Sequence, residues 1–359
     1  GSLYSLAPDR LLTLRYLLGA TDDLLQYYDS FPRMNLLPTE SGIRIKNSGW
    51  FNDEHIEYRY KKHMFNPVWS SLVSRSINIM HLLEQHDWLR RRAGSDYGDS
   101  KVKFSHWFDN IPNQVKNKSD FFCKMSPDIT INSRKLIYDV LSAAMGKGLK
   151  VLTGSKVDDI LEKDNLTFVK VGDDTYQAEN VVICSPDVIS KLYNIPIKTG
   201  YAPIAVVEKV PEDEKSFVEL DYNIKKCINL LKKGDGIGQA GGVTMDNKKD
   251  VDGYLAYIIS EHKKRNPQIR VIGTYVGLKK ELVQKGENRN YLYHIKQNSD
   301  RVWSIVLGKF SLAFSMAPEF YRQTHHKNPP KNIEFQDGQA DNALVSKTSW
   351  EEIISSPRG

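Results

Sequence analysis

The sequence has few cysteines, no long apolar run and no paired metal-ligand spacing. Its three cysteines, Cys123, Cys184 and Cys227, are sparse and odd in number, which argues against a disulfide scaffold and favours the reducing cytoplasm. No stretch approaches the roughly 18 apolar residues of a membrane span, and no secretory signal peptide is visible. These absences exclude a disulfide-rich secreted protein and predict a cytoplasmic protein with no membrane span and no metal site.

A strong excess of one charge is also missing. The formal net charge is +6 over 359 residues, and the basic runs at 89–92 and 232–233 are short. Such runs are typical of solvated helix faces rather than of a nucleic-acid groove, so we expect no nucleic-acid partner. Because a single core rarely grows beyond about 250–300 residues, the length predicts two lobes.

One stretch, residues 130–193, has the order of elements found in a nucleotide-binding domain. Ser133 is a suitable N-cap, and apolar residues then recur at helical spacing until Gly146 and Gly148 end the helix. The apolar run 149–152 predicts a short strand. A helix that ends at a glycine and is followed by a strand forms the second half of a βαβ crossover.

The same stretch continues with a polar ribbon and a further strand. Alternating apolar residues from Val157 onward predict strands that leave the parallel sheet, and Gly172-Asp173-Asp174 predicts a turn between them. The strand predicted over Asn180–Cys184 is almost wholly apolar, as expected of a parallel strand covered on both faces. It ends in Ser185-Pro186-Asp187, after which we expect a helix from Val188.

This order resembles the second half of the FAD domain in flavoenzymes of the D-amino-acid oxidase and glycine oxidase type, a layout that amine oxidases share. The resemblance implies FAD as the cofactor. It also implies that the strand end at Lys156 and Val157 faces the adenine, and that the loop of Cys184, Ser185 and Pro186 passes near the ADP half. A doubly wound domain that binds no flavin has the same general pattern, and this alternative stays open.

Residues 302–322 read as a strand, a glycine loop and a helix. In the family that the chain resembles, the final strand leads into such a loop, and the helix N-terminus points at the flavin pyrimidine. Gly308 and Lys309 occupy the compatible place, and a lysine there would favour the anionic ring. As an alternative, the same residues fit a buried strand, turn and helix that have only a structural role.

Arg289, Tyr291 and Tyr293 are the candidate catalytic residues of the substrate site. A guanidinium suits a substrate carboxylate, and the resemblance implies a tyrosine above the ring. The alternation of the two tyrosines also suits plain packing in a strand. The pair His325-His326 has no third candidate metal ligand nearby in the sequence, so we interpret these residues as surface histidines.

The phosphate-binding motif of such a domain is missing from its expected place. A strand, Gly-x-Gly-x-x-Gly and a helix should open the domain, yet nothing in residues 1–60 matches. The match at Gly236–Gly241 follows a polar turn and precedes no helix, so it predicts a glycine-rich turn in a β-rich lobe. Gly1-Ser2 resembles a tag remnant. We therefore expect one of two situations. Either natural residues before Leu3, or a second fragment or subunit, complete the nucleotide site, or the protein has lost the motif and flavin with it.

Elsewhere, periodicity predicts the remaining elements. Helices are expected over 3–29 and 68–91. Strands are expected at Ile43–Ile45, Ile56–Tyr60, Ile204–Val210, Tyr254–Ile259, Val271–Val276 and Tyr291–Ile295. Residues 93–129 should form a polar loop, and the chain from Lys327 should form a loosely packed tail.

The sequence thus predicts an α/β protein, α+β overall, with an FAD/NAD(P)-binding-like domain and a discontinuous β-rich substrate or cap domain. The nucleotide domain should comprise residues 1–50, 130–200 and 300–330, the cap domain 51–129 and 201–299, and a polar extension 331–359. We expect an FAD-dependent oxidoreductase that oxidises a C–N or C–O bond of a small substrate by hydride transfer to flavin. The alternative is a catalytically inactive scaffold of the same fold that binds a partner or ligand.

Overall fold

The computed structural model describes residues 35–39, 42–46, 51–62, 116–117, 120–221, 223–283, 293–310, 313–329 and 340–356. The helices predicted over 3–29 and 68–91 lie outside these residues. The strands are β1 (Asn35–Thr39), β2 (Gly42–Lys46), β3 (Phe51–Lys61), β4 (Lys116–Asn117), β5 (Phe121–Ile131), β6 (Asp159–Lys163), β7 (Leu166–Val171), β8 (Asp174–Ala178), β9 (Val181–Ile183), β10 (Ile197–Glu208), β11 (Phe217–Leu220), β12 (Ile228–Gly234), β13 (Ile237–Gly242), β14 (Arg270–Leu282), β15 (Tyr293–Gln297) and β16 (Val302–Leu307). The helices are α1 (Ser133–Gly146), α2 (Pro186–Tyr193), α3 (Val251–Arg265), α4 (Ala313–His325) and α5 (Ser349–Ser355). Among the described helices, none has the length and apolar character that a membrane crossing requires.

The largest layer is an eight-stranded sheet in the order β14, β10, β13, β12, β11, β3, β5, β4. Its neighbours are antiparallel, except that β3 and β11 are parallel. Helix α3 packs against one face and closes the main core, which includes Ala205, Val207, Phe217, Leu230, Ala240, Tyr254 and Ile258. The apolar face of α3 thus excludes water from the central strands on this face, while Val276 and Leu278 on β14 stay exposed.

The strand predicted over Tyr254–Ile259 is wrong, because these residues lie within helix α3. A short apolar run fits a strand or a helix equally well, and only the longer window distinguishes them. The buried residues of α3 follow one another at spacings of three or four positions, which places them on one helix face: Val251, Tyr254, Ile258 and His262.

The other strand predictions hold, with one correction. Strands β2, β3, β10, β14 and β15 overlap the predicted positions. Residues 121–129, predicted as part of a polar loop, instead begin strand β5, which pairs with β3 from Phe121 opposite Lys61 to Ile131 opposite Phe51. Phe122 and Cys123 are buried, so their side chains fill the sheet core rather than anchor a loop.

Buried charges join β11 to β3 and to α3. Glu219 on β11 is fully buried, and its carboxylate accepts two hydrogen bonds from the Arg265 guanidinium, both at 2.8 Å. The Lys61 ammonium lies 3.1 Å from Glu219 and 3.0 Å from Asp221. Burial opposes the charge on Lys61, but these two acids hold the pKa of Lys61 above its ordinary value.

A second buried group lies beside the first. The Arg59 guanidinium donates to Glu57 and to Glu214, each at 2.7 Å, and stacks 3.9 Å from the centroid of the Phe217 ring. Burial opposes its charge, yet the two carboxylates hold the pKa of Arg59 above its ordinary value. Glu214, which lies between β10 and β11, is thus an ion-pair partner of the sheet.

A smaller sheet contains the predicted parallel strand. Strands β9 and β16 are parallel, with Val181 opposite Val302 and Ile183 opposite Ser304, and β15 pairs antiparallel with β16. Helix α2 packs against this sheet, and their shared core comprises Ile183, Ile189, Ile195, Val302 and Val306. The predicted polar ribbon is confirmed as the three-stranded sheet β6, β7, β8.

Helix α1 matches the prediction closely. Its N-cap is Asn132 rather than Ser133, because the Asn132 side chain accepts a hydrogen bond of 3.1 Å from the Lys135 amide. The helix ends at Gly146, and Gly148 takes a φ of 96°, the left-handed region that glycine occupies without a Cβ clash.

The strand predicted over 149–152 is wrong, because these residues follow α1 without regular structure. Leu149, Val151 and Leu152 are exposed. An apolar run becomes a strand only when another strand supplies hydrogen bonds, and none of the described strands pairs with this run.

The chain after Lys327 is not a loose tail throughout. Residues 340–356, here called the C-terminal strap, pack against α1 through three hydrogen bonds. Tyr138 donates to the Ala340 carbonyl at 3.0 Å, the Ala340 amide donates to Ser142 at 3.2 Å, and Arg134 donates to the Val345 carbonyl at 3.2 Å.

The strap also reaches the large sheet. The Lys233 ammonium lies 5.5 Å from the centroid of the Trp350 ring, and burial lowers the pKa of Lys233. Gly273 on β14 leaves the space that Ile353 fills, since a Cβ there would lie 2.6 Å from an Ile353 methyl carbon. The strap therefore contacts both α1 and the sheet.

The segment Gly236–Gly241 belongs to the β12–β13 hairpin. Gly234, Asp235 and Gly236 have φ values of 94°, 51° and 69°, and β13 begins at Ile237. The predicted glycine-rich turn is confirmed, and these residues do not form a loop at a helix N-terminus.

We predict that Glu219→Gln lowers the free energy of unfolding by about 3 kcal/mol, because it leaves Lys61 and Arg265 without their buried anion. Asp164→Asn is the matched control, since the Asp164–Lys163 pair is exposed, and its loss should cost less than about 0.5 kcal/mol. Urea unfolding of both variants measures the difference. Equal losses would show that the buried network does not stabilise the sheet.

Candidate functional site

The carboxyl-terminal edge of the parallel pair β9 and β16 brings together two predicted groups of site residues. Strand β9 ends at Ile183 and leads through Cys184 and Ser185 into α2, whereas β16 ends at Leu307 and leads into Gly308 and Lys309. Parallel strands end at the same edge, which is where open α/β sheets bind ligands. From the register, β16 extends three residues past Ile183, or about 10 Å.

Tyr293 lies at this same edge. It stands opposite Leu307 in the β15–β16 ladder, so it is next to Gly308 across the strands. The structure therefore brings together Tyr293, Gly308 and Lys309. Arg289 and Tyr291 lie outside the described residues, and their place in the site stays a prediction.

Lys156 and Val157 lie further away. The backbone amide of the next residue, Asp158, donates to the Lys170 carbonyl at 2.8 Å, and its carbonyl accepts from Lys191 at 3.1 Å. Lys191 is in the last turn of α2, whereas Ser185 precedes the first turn. The two predicted groups thus lie at opposite ends of a helix of eight residues, which is about 12 Å long.

The start of α2 has two chemical features of interest. Desolvation raises the pKa of the Cys184 thiol, so this side chain is a neutral group rather than a thiolate near neutral pH. Ser185 is the N-cap residue, but its hydroxyl makes no capping hydrogen bond, and Pro186 follows at the first helical position. Asp187 in the first turn forms an ion pair with Lys280 of β14. This contact joins the edge of the parallel pair to the large sheet.

The face of the large sheet opposite α3 carries polar residues that the sequence did not single out. Ile204 pairs with Tyr275 and Val206 pairs with Gln239, so both polar side chains lie on one face. Gln239 donates to the Tyr275 hydroxyl at 3.0 Å. Burial raises the pKa of Tyr275, and the phenol is therefore a neutral hydrogen-bonding group.

Alternation along β14 continues this face as far as the parallel pair. Lys279 and Glu281 follow Tyr275 on the same face and form an ion pair with each other. Glu281 is buried, and the next residue, Leu282, packs into the core of α2, β9 and β16. We call Gln239, Tyr275, Lys279 and Glu281 the polar stripe.

Glycines border the polar stripe. Gly200 stands opposite Lys279, Gly277 opposite Ala202, and Gly241 is on neighbouring β13. A Cβ at Gly277 would meet no atom closer than 3.7 Å, so the absence of a side chain leaves space there. This face could have been predicted from the sequence, because tyrosine, glycine and lysine alternate with apolar residues in Tyr275-Val276-Gly277-Leu278-Lys279.

Comparisons with known proteins were made from sequence and from structure. No protein-family model matches the chain, and no curated protein sequence matches it. Solved structures do match. L-alpha-glycerophosphate oxidase from Mycoplasma pneumoniae, determined with FAD bound, is 15% identical with a TM-score of 0.58, over 89% of this chain and 82% of that chain.

Two further solved structures have the same fold. L-proline dehydrogenase from P. horikoshii is 12% identical with a TM-score of 0.55, over 88% of this chain and 80% of that chain. Glycine oxidase from Geobacillus kaustophilus is 12% identical with a TM-score of 0.53, over 94% and 82%. The chain thus has the α/β fold of the FAD-dependent oxidoreductases, and the predicted resemblance to the glycine oxidase type is confirmed at the level of fold.

We predict that a disulfide reagent such as dithiobisnitrobenzoate modifies one thiol per native chain, because Cys184 is exposed while Cys123 and Cys227 are buried. The raised pKa lowers the thiolate fraction, so the rate at pH 8 should be below that of free cysteine and should still rise above pH 9.0, the ordinary value. Cys184→Ser should abolish the reaction. A rate that levels off below pH 9.0, or equal reaction of the buried thiols, would contradict the prediction.

Proposed function

We propose that the protein is an FAD-dependent oxidoreductase that oxidises a C–N or C–O bond of a small substrate. The proposal rests on the positions of two groups of residues, one at the edge of the small sheet and one on the large sheet. The edge of a parallel strand pair presents Cys184, Ser185 and Gly308, and β14 carries the polar stripe on one face while Lys280, on its other face, pairs with Asp187 at that edge. The shared fold with glycine oxidase and glycerophosphate oxidase supports it.

The residues at the strand edge fit part of an FAD molecule. The first turn of α2 has free backbone N–H groups, and the Ser185 hydroxyl makes no capping bond, so both suit an anionic or hydroxyl-rich ligand. Gly308 is buried and has no side chain, so a flat ring can approach the backbone closely. Lys309 supplies a positive charge, which favours an anionic ring.

The pyrophosphate of FAD lacks a cradle among the described residues. The glycine motif at Gly236–Gly241 is a hairpin, as its φ values and strand pairing require. We therefore propose that the cradle comes from a second segment or subunit. We also propose that residues 130–200 and 300–330 belong to the nucleotide-binding domain, as the sequence predicts.

The polar stripe is proposed to bind the substrate. Bound FAD supplies a two-electron acceptor, and the substrate loses a hydride from carbon and a proton from the attached nitrogen or oxygen. Gln239 and Tyr275 present an amide and a phenol that would orient a polar substrate group, and Gly277 leaves room for its carbon skeleton. Tyr293, on β15, is proposed to contribute to the reaction, and Arg289 and Tyr291 remain proposed catalytic residues.

Cys123, Cys184 and Cys227 form no disulfide bond with one another, and we propose the cytoplasm as the location on this ground. Partners other than a small-molecule substrate and the completing segment are not required by the proposal.

Addition of FAD to the full-length protein, purified from its natural source together with any subunit that stays bound to it, tests the proposal directly. We expect the visible absorption bands of bound oxidised flavin and a higher melting temperature, since a ligand at 100 times its dissociation constant stabilises by about 2.7 kcal/mol. FAD should also slow alkylation of Cys184 but not of a cysteine placed at exposed Lys163 in the ribbon, away from the strand edge. A colourless protein whose melting temperature FAD leaves unchanged would reject the function.

We predict that Tyr275→Phe lowers kcat/KM for the substrate about tenfold, equivalent to about 1.4 kcal/mol, because one hydrogen bond to the substrate or to Gln239 is lost. Tyr201→Phe is the matched control, since Tyr201 pairs with Leu278 and lies on the face that α3 covers. Flavin content should be unchanged in both variants. An equal effect of both substitutions would contradict a role for the polar stripe.

A further inference from the structure

Strand β14 forms one edge of the large sheet, and it differs from the strand at the other edge. It comprises 13 residues, whereas β4 at the opposite edge comprises 2. Among the described strands, β14 pairs with β10 alone, so its second side presents backbone N–H and C=O groups without a strand partner. Such an edge is a template for pairing with another strand, and proteins usually protect it with proline, charge or a very short strand.

These protecting features are missing from the middle of β14. The strand contains no proline, and its charged residues are confined to its two ends, where all of them form ion pairs within the chain. The bulge of the β10–β14 ladder falls before Gly273, so the pairing from Gly273 to Leu282 is uninterrupted. The middle of β14 is therefore a regular strand edge that nothing in its own sequence blocks.

One side of this edge carries exposed apolar side chains. Val276 is 41% exposed and Leu278 is 63% exposed, and Thr274 is exposed as well. Residues two apart in a strand point to the same side of the sheet, so these three side chains form one row, here called the edge row. Helix α3 packs over the neighbouring strands β10 and β13 and leaves the edge row uncovered.

We propose that β14 pairs antiparallel with β14 of a second copy of this chain, about a two-fold axis at Gly277. A two-fold axis perpendicular to a sheet relates an edge strand to itself in the antiparallel direction, so one surface serves both copies. The two eight-stranded sheets would then form one continuous sheet across the dimer. This inference does not depend on the proposed function.

The apolar side chains select this position of the axis. With the axis at Gly277, Val276 lies opposite Leu278 of the second copy, and symmetry forms the same pair again. Both exposed apolar residues then meet an apolar residue, which is the favourable cross-strand pairing. An axis at Val276 would place Leu278 opposite Thr274, and an axis at Leu278 would place Val276 opposite Lys280.

The charges disfavour an axis that lies further away. An axis at Tyr275 would place Arg270 opposite Lys280 of the second copy, and an axis at Lys279 would place this lysine opposite itself. Like charges directly opposite one another destabilise a strand pair. With the axis at Gly277, both lysines lie opposite uncharged residues. The edge is therefore complementary to itself, which favours a second copy over an unrelated peptide as its occupant.

Single cysteines in the full-length protein test the position of the axis. The background is Cys184→Ser, because Cys184 is exposed whereas Cys123 and Cys227 are buried. Directly opposite residues of an antiparallel pair have Cα atoms about 4.5–5.5 Å apart, within the range of about 4.4–6.8 Å that a disulfide spans. We expect Gly277→Cys to form a disulfide-linked dimer under mild oxidation. A Cβ at Gly277 meets no atom closer than 3.7 Å within one copy, so the fold should tolerate the change.

Val276→Cys and Leu278→Cys are the matched controls. With the axis at Gly277, each of these residues is diagonal to its own counterpart, at about 7–8 Å, and should link to itself at least about tenfold more slowly than Gly277→Cys. An equal mixture of the two variants should link as a mixed dimer, because the two positions lie opposite each other. Faster linkage of either control to itself, or no linkage at Gly277→Cys, would overturn the inference.

Sedimentation velocity measures the dimer without a crosslink. We expect a concentration-dependent equilibrium between monomer and dimer, because a contact along one strand edge is narrow and therefore weak. Leu278→Lys should raise the dissociation constant of the dimer about tenfold or more, since it places a charge against Val276 of the second copy. Leu161→Lys is the control, because Leu161 is 56% exposed on β6, away from the edge. A protein that stays monomeric at every concentration, or equal effects of the two substitutions, would overturn the inference.

Discussion

The antiparallel ladder between β10 and β14 is the interaction on which the other parts of the structure depend. It joins twelve residue pairs, from Ile197 opposite Leu282 to Glu208 opposite Arg270. At one end its residues enter the core of α2, β9 and β16, and along its length it presents the polar stripe. Because a shift of one residue would exchange the two faces of a strand, this register fixes which side chains meet α3 and which meet the space above the glycines.

The two faces of the large sheet therefore have different chemistry. On the α3 face, buried charges are fully paired, and burial lowers the pKa of His262 to about 4, so that its ring is neutral beside Phe217. Helix α3 covers the central part of this face, whereas Val276 and Leu278 on β14 remain exposed. On the opposite face, small residues alternate with hydrogen-bonding groups, which is the arrangement that a ligand surface requires.

The sequence was sufficient to predict the secondary structure wherever a local pattern of residues determines it. The strand at β9, the ribbon with its turn at Gly172 and the helix ending before Gly148 follow from periodicity and from glycine. Prediction from the sequence failed where residues far apart in the chain determine the structure. Residues 121–129 form a strand only because β3 lies beside them, and 149–152 lacks such a neighbour. The Gln239–Tyr275 pair joins residues 36 positions apart, and no local spacing encodes a contact of that kind.

The C-terminal strap has a mechanical consequence. Strand β5 of the large sheet leads directly into α1, so the chain itself joins the helix to the sheet at one point. The strap attaches α1 at Ala340 and the sheet at Ile353, so it acts as a brace at a second point. A body held at two separated points loses its freedom to rotate about either. Rotation of α1 about its junction with β5 would therefore first have to break the contacts of the strap.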